Sequence, residues 1–386
     1  MANWKIQKIS VLADVKGGKR LAKGDVVTST PSCHPYIRVV DMNGGKIDPR
    51  NVMYISEEVH KKVARYIISK EDIFISIAGT IGVICRVPEA LDGANLTENA
   101  AKITLTSSEV TKDYLYYYLN SHEGQGQIRQ RIGGASQPKL ALDRVKSIEV
   151  RYPDISEQTR ICSILNSYAE VINHLSEKIK ILEEIADNRF QVLLHQPSGS
   201  DSKKSASLAE IADSINEKYA DKKHSSFPLI DLASINSKNL AVETIKNSNE
   251  LQSSRIIFAK GDILFGSIRC YLHKVALAPF SGITNVSVFV VRPKKIIYSS
   301  FITALLFSSS TIDWASRNSN GTKMPTINWD VLSSMEISIP SDADLHKFNS
   351  FADVIYSEIQ VLTLMRLNLI SQQQEKSMVL LARDKN

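Results

Sequence analysis

Apolar residues recur along this chain with two different periods. Short β-branched alternations read as strands: YIRVVDM, DIFISIA, GVICRV, AAKITL and SIEVRYP in the first half, DILFGSI, HKVALA, VSVFVVRP and SMEISIP in the second. TKDYLYYYLNS and SSFITALLFSS read as equivalent helices. Two further stretches carry a heptad. From Ser156, a good N-cap residue, Ile161, Leu165, Tyr168, Ile172, Leu175, Ile179, Leu182 and Ala186 step by four and three. Arg189 interrupts this seam and Leu193 resumes it. Phe348, Ala352, Ile355, Ile359, Leu362, Met365 and Leu369 repeat the step. The seam then turns polar at Gln372, Gln373, Gln374 and Lys376, and Leu380 and Leu381 form a last apolar step. A helix of roughly 40 residues is about 60 Å long. It cannot fold back into a small block's core, so each of these helices needs a partner helix, and the other supplies it.

The chain repeats itself. KEDIFISIAGT matches KGDILFGSIRC, with Asp72 and Asp262 standing 190 residues apart. VVDM (Val39–Met42) matches LIDL (Leu229–Leu232) at the same offset, and ISVLAD (Ile9–Asp14) matches LAEIAD (Leu208–Asp213) at 199. GASQPKL matches GTKMPTI, and Pro153 matches Pro340, both at 187. A falling offset is what deletions in surface loops produce. The expected fold is therefore mixed α/β (α+β): two tandem blocks separated by a long antiparallel two-helix coiled coil, as a pseudo-twofold internal repeat. The expected boundaries are 1–155 for the first block, 156–196 for the central helix, 197–206 for a Ser/Lys-rich linker, 207–340 for the second block and 341–386 for the distal helix.

Composition fits a globular protein of two or three domains: 386 residues, 43% hydrophobic and 23% charged. No apolar run reaches the roughly 18 residues of a membrane span, and the start has no secretory h-region. Cys33, Cys85, Cys162 and Cys270 lie far apart, which points to a reducing, cytoplasmic setting without disulfides or a structural zinc site. The net charge of +6 permits a polyanionic partner without requiring one.

Catalytic motifs are missing. There is no phosphate-binding P-loop, no HExxH and no Asn-Pro-Pro-aromatic motif for amino methylation. GQGQIR (Gly124–Arg129) lacks the third glycine of a dinucleotide fingerprint and follows a helix, not a strand. Asp48 with Glu57 and Glu58 lacks the lysine that a metal-dependent nuclease would place two residues on. Asp41 and Asp231 are strand-end acids of the kind that cap turns. No catalytic residue, metal site or cofactor of this chain is expected.

A tandem α/β block plus long helix resembles the specificity subunit of type I restriction–modification systems. The matching residues are Trp4, YIRVVDM (Tyr36–Met42), KEDIFISIAGTIG (Lys70–Gly82), NLTENAAKI (Asn95–Ile103), GGASQPKLAL (Gly133–Leu142) and IEVRYPDISEQTRICSIL (Ile148–Leu165). The second copy departs from the pattern: Glu157–Gln158 is replaced by Asp344–Leu345, IAGTIG by GSIRCY (Gly266–Tyr271) and GASQPKL by GTKMPTI. The resemblance implies a non-catalytic subunit whose two target-recognition domains each read one half of a split, asymmetric double-stranded DNA sequence. It implies that the helix pair is both ruler and docking surface for two methyltransferase subunits and for motor–nuclease subunits. Those partners bring S-adenosylmethionine, ATP and magnesium.

On that reading three loops of the first block should touch DNA. KGGKRLAK combines glycine mobility with Lys16, Lys19, Arg20 and Lys23. IAGTIG, with Thr80, allows close backbone approach, and RQRIGGASQPK carries Arg129, Arg131, Ser136, Gln137 and Lys139. The second block offers Arg269 and Lys274 in SIRCYLHK, and Arg317, Asn320 and Lys323 in SRNSNGTKMP. Lysine, arginine and hydroxyl side chains bind phosphates, whereas glutamine and arginine can read adenine and guanine edges. Two other functions remain to be separated: a single-chain DNA methyltransferase or nuclease, active without partners, and a coiled-coil scaffold with no salt-sensitive DNA binding.

Overall fold

The computed structural model describes residues 4–42, 45, 47–134, 137–195, 204–219, 227–247 and 254–381. It divides into two compact units, Met1–Ala169 with Gln372–Asn386, and Glu170–Ser371. Each unit therefore takes a stretch of both long helices, which run Ile155–His195 and Asp342–Leu381.

The first unit is built on a four-stranded antiparallel sheet in the order Ala13–Gly17, Ala100–Leu105, Ile73–Ser76, Ile84–Arg86. A smaller sheet orders Met53–Tyr54, Pro35–Ile37 and Asn95–Leu96, the last two parallel. Lys5–Lys8 pairs with Glu149–Tyr152. Helix Lys112–Asn120 lays Tyr114, Leu115 and Tyr118 on the large sheet, in one core with Ile161 and Leu165 of the first long helix and Leu381 of the second. Asp154 caps that first long helix, accepting the Glu157 N–H at 2.9 Å, so the cap lies two residues before Ser156. Gln158 is buried: its Oε1 accepts the Thr111 N–H at 2.9 Å, and its Nε2 donates to the carbonyls of Glu109 and Pro153. Gln373 donates to the Leu165 carbonyl at 2.9 Å.

The second unit repeats the plan. Its large sheet orders Ala212–Ile215, Val288–Pro293, Ile263–Gly266 and Val275–Leu277, and Lys204–Ser207 pairs with Glu336–Ile339. The expected linker thus ends in a strand: its polar side chains hid backbone that the sheet edge pairs. The repeated aspartate has one job in both copies. Asp72 accepts the Ser69 N–H at 2.8 Å and Asp262 the Ala259 N–H at 2.7 Å, each closing the turn into the central strand. Asp231 caps a 3-10 turn through the amides of Ala233 and Ser234, and Asp41 binds the Arg38 amide and guanidinium.

Within this unit the helices are antiparallel, since Lys178 pairs with Glu358 at 2.6 Å and Phe190 packs against Phe348. Phe348, Ala352, Ile355, Ile359 and Leu362 share a core with Ile179, Ala186, Phe190 and Leu193, and Leu175 and Leu182 pack partly buried against it. Ile172 is buried, and Leu369, like Tyr168 of the first unit, is half-buried. Two expectations need correction. Arg189 does not interrupt the seam: Phe190 fills that level, and exposed Arg189 lies over the Phe351 ring. Met365 is 49% exposed, while its neighbour Arg366 is 3% exposed at the heptad level. In both places a four-residue step, not a three-residue one, keeps the buried face.

Candidate nucleic-acid interface

In the first unit, strand Ile73–Ser76 runs into the turn Ile77–Gly82, and the backbone at Gly133 and Lys139 pairs beside it. Ala78 bridges Lys139, and the Leu140 N–H donates to the Ile77 carbonyl at 2.9 Å. Gly133 and Lys139 exchange both backbone hydrogen bonds, at 3.0 and 2.8 Å. Gly79 and Gly82 have φ of 77° and 90°, so this turn needs two left-handed positions. Thr80, Gln137 and Lys139 are exposed on the resulting corner.

The second unit builds the same corner. Ile268 bridges Thr326, Asn320 and Thr326 exchange both bonds at 2.8 Å, and the Ile327 N–H donates to the Ser267 carbonyl at 3.0 Å. Each partner stands 187 or 190 residues beyond its counterpart. In the turn after the strand the left-handed positions are not glycine: Arg269 and His273 both have φ of 51°. The Arg269 N–H donates to the Pro325 carbonyl at 2.7 Å and its Nη2 to the Lys323 carbonyl at 3.3 Å. His273 is buried against the Phe307 carbonyl at 2.8 Å, and burial pushes its pKa down.

The structure sorts the expected contact residues into free and committed ones. Lys23, Arg129, Lys139, Arg317 and Lys323 are exposed cations that no carboxylate pairs among the described residues, and Asn320 is exposed with them. Arg129 and Arg317 lie in the last turns of helices, His122–Gln130 and Ser309–Arg317, where loops were expected. Lys16 pairs with Asp14 at 3.3 Å and Arg20 with Glu98 at 2.7 Å. Lys19 lies 6.0 Å over the Tyr66 ring. Arg131 spends its guanidinium on Ser147 and the Gln127 carbonyl, which makes it a brace of its own unit. Lys274 is half-buried on the Leu232 carbonyl at 2.7 Å, and burial pushes its pKa down. Ser136 lies outside the described residues. The glycines of KGGKRLAK give no mobility: a Cβ on Gly18 would lie 2.0 Å from the Thr97 carbonyl oxygen, so this loop is pinned to the sheet. Beside it a cavity of about 380 Å³ is lined by Lys16, Arg65, Tyr66 and Lys102.

The helices of the second unit have one open flank. Tyr356, Gln360 and Thr363 on the second helix and Glu183 and Phe190 on the first are buried, and Gln360 donates to the Ala278 carbonyl at 2.7 Å. The opposite flank leaves Ile181, Ile185, Val192, Val354, Val361 and Met365 exposed, and the Lys178–Glu358 pair ties the two helices along it. Sequence periodicity gave no sign of this flank, because its apolar residues other than Met365 fall outside the expected heptad seam and Met365 was assigned to that seam.

Among the described residues no three His, Cys, Asp or Glu side chains converge as metal ligands. No single described helix is long and apolar enough to cross a membrane; one bent pair, 296–307 with 309–317, passes on composition, and its first helix is buried in the core. Fold and corners together define a tandem-repeat protein that presents one loop corner per unit on a common backbone frame. The family model for the type I restriction modification DNA specificity domain matches residues 1–185 and again 197–363, and the chain belongs to that family. The MjaIX specificity subunit of Methanocaldococcus jannaschii is 24% identical over 196 residues, 49% of this chain and 43% of that protein. The EcoBI specificity subunit of Escherichia coli is 30% identical over 125 residues, 32% of this chain and 26% of its own length. The matches thus span less than half of each curated relative. The crystal structure of a type I S subunit from M. genitalium superposes with a TM-score of 0.56 at 16% identity, covering 99% of this chain and 97% of that one, which shows the shared fold.

Proposed function

We propose that this chain is the specificity subunit of a type I restriction–modification complex and that each loop corner reads one half of a split, asymmetric target in double-stranded DNA. The observation that supports this most is the pairing of a shared backbone hydrogen-bond frame with different exposed side chains. Thr80, Gln137 and Lys139 stand on one corner, and Tyr271, Lys323 and Met324 on the other. A shared frame fits one mode of approach to DNA, and unlike side chains fit unlike half-sites. The chain is non-catalytic and holds no cofactor in this proposal. Two methyltransferase subunits dock on the open helix flank and carry S-adenosylmethionine, and motor–nuclease subunits carry ATP and magnesium. The complex works in the cytoplasm.

The test reconstitutes the chain with its methyltransferase subunits and sequences the methylated DNA. A split, asymmetric motif is expected. Exchanging Phe227–Met335 for the block of a homologue should change one half-site alone. One continuous palindrome, or a change in both halves, contradicts the reading.

A further inference from the structure

Tyr271 and Met324 are, at 58% and 54%, the large apolar side chains left exposed on the second unit's corner. The structure fixes both. Left-handed Arg269 and His273 bracket the 3-10 turn Cys270–Leu272, and Cys270 within it is buried. Tyr271 is the residue of that turn turned outward. Arg269 bonds the carbonyls of both Lys323 and Pro325, the two residues that flank Met324. The first unit makes the equivalent turn with Gly79 and Gly82, which adopt left-handed backbone without hindrance. There Thr80, Lys139 and, at the place of Met324, Gln137 are exposed, while Ile81, at the place of Tyr271, packs partly buried against the core. Beside their lysines, one corner therefore presents hydroxyl and amide groups, and the other a phenol ring and a thioether held on a side-chain-braced turn.

Base edges in a DNA groove offer hydrogen-bond donors, acceptors and one apolar group, the 5-methyl of thymine. Exposed Lys323 and Arg317 on the same corner suit phosphates. From this we infer that Tyr271 and Met324 are specificity-determining residues that recognise a thymine methyl group in the half-site read by the second unit. The inference rests on the DNA-reading function proposed above and deepens it.

The experiment uses the complex with methyltransferase subunits and the half-site that the Phe227–Met335 exchange alters. Each thymine of that half-site is replaced in turn by uracil, which removes the methyl and nothing else. At one position the wild-type complex should lose about four-fold in affinity, the worth of one buried methyl. The Tyr271→Ala/Met324→Ala double variant should bind thymine and uracil there equally, and Tyr271→Phe should keep the preference. Melting temperature checks that the variants fold. A wild-type complex indifferent to uracil at every position, a half-site with no A·T pair, or a uracil effect that survives in the double variant would overturn the inference. Loss of binding in the double variant with no uracil effect would mean insertion between base pairs, and would overturn it too. A wild-type complex that binds all sequences alike would instead bring down the DNA-reading function itself.

Discussion

The carboxylate of Glu183 accepts the backbone N–H of Leu240 at 2.6 Å, which joins the first long helix to a buried loop of the second recognition block. Arg366 of the other helix grips the same loop, donating to the Val242 carbonyl at 2.7 Å and pairing with Glu243 at 3.0 Å. Burial pushes the Glu183 carboxyl up to about 7, and the Leu240 amide and Arg366 only partly offset it. An acid whose folded pKa is raised holds its proton longer in the folded state. Stability should therefore fall as pH rises from about 4.5, where the unfolded acid ionises, to about 7, and level off above. The drop is on the order of 3 kcal/mol. Glu183→Gln keeps the acceptor and removes the charge. Urea unfolding at several pH values should show a flatter profile for this variant and greater stability at pH 8. A profile identical to wild type would refute the assignment.

Arg366→Met puts an apolar side chain at a heptad level that an apolar seam would favour. It also strands the Val242 carbonyl, and it removes the cation facing Glu183. A loss of about 3 kcal/mol is expected, as for one partner taken from a buried ionic site. Arg366→Met should cost less in the Glu183→Gln background than in wild type, because the carboxylate that faces the cation is then already gone. An equal cost in both backgrounds in denaturant titrations would show that the helices hold the loop independently.

Gln158 and Leu345 stand 187 residues apart at the first turn of the two long helices, and both are buried. The amide is satisfied by Thr111, Glu109 and Pro153, whereas Leu345 lies in an apolar core. Each environment suits only its own residue. Gln158→Leu should cost about 3 kcal/mol by orphaning the Thr111 N–H and two carbonyls. Leu345→Gln should cost as much by burying an amide with no partner. Thermal and denaturant unfolding test both, and a neutral outcome for either would mean the site rebuilds itself around the new residue.

The same pair shows what could be read before the structure. The repeat, the strands and the helix seam follow from apolar spacing, which burial enforces directly: Asp72 and Asp262, aligned by sequence, do the same work in the fold. Loop chemistry was less legible. Lys16, Arg20, Arg131 and Lys274 look alike in sequence to Arg129 and Lys139, yet Asp14, Glu98, Ser147 and the Leu232 carbonyl claim them through contacts distant in the chain or in the sheet. Glu183 and Arg366 were invisible as buried charges, because a heptad pattern scores them as surface. Tyr271 and Met324 were missed because a lone apolar residue in a loop carries no period.

That sorting makes a quantitative prediction. Each cation that neutralises a phosphate on binding releases a counterion and adds about 0.9 to the slope of log K against log salt. Arg129, Lys139, Arg317 and Lys323 are exposed and unpaired by carboxylates among the described residues, and of these Arg317 gives its Nε to the Asp313 carbonyl at 3.2 Å. Arg131 and Lys274 already spend their charges on backbone or hydroxyl oxygens of their own unit. In the complete complex, Arg129→Ala and Lys139→Ala together should reduce the slope by about 1.8, and Arg317→Ala with Lys323→Ala by a similar amount. Both pairs should weaken binding across all target sequences without changing the methylated motif, since phosphate contacts carry no sequence information. Lys274→Ala should leave the slope unchanged and lower the melting temperature instead, because its ammonium braces the Leu232 carbonyl. Fluorescence anisotropy over a salt series measures all three. Equal slopes for wild type and the two paired variants would show that DNA does not approach these corners, and would send the search to the Lys16, Arg65 and Lys102 face of the first unit.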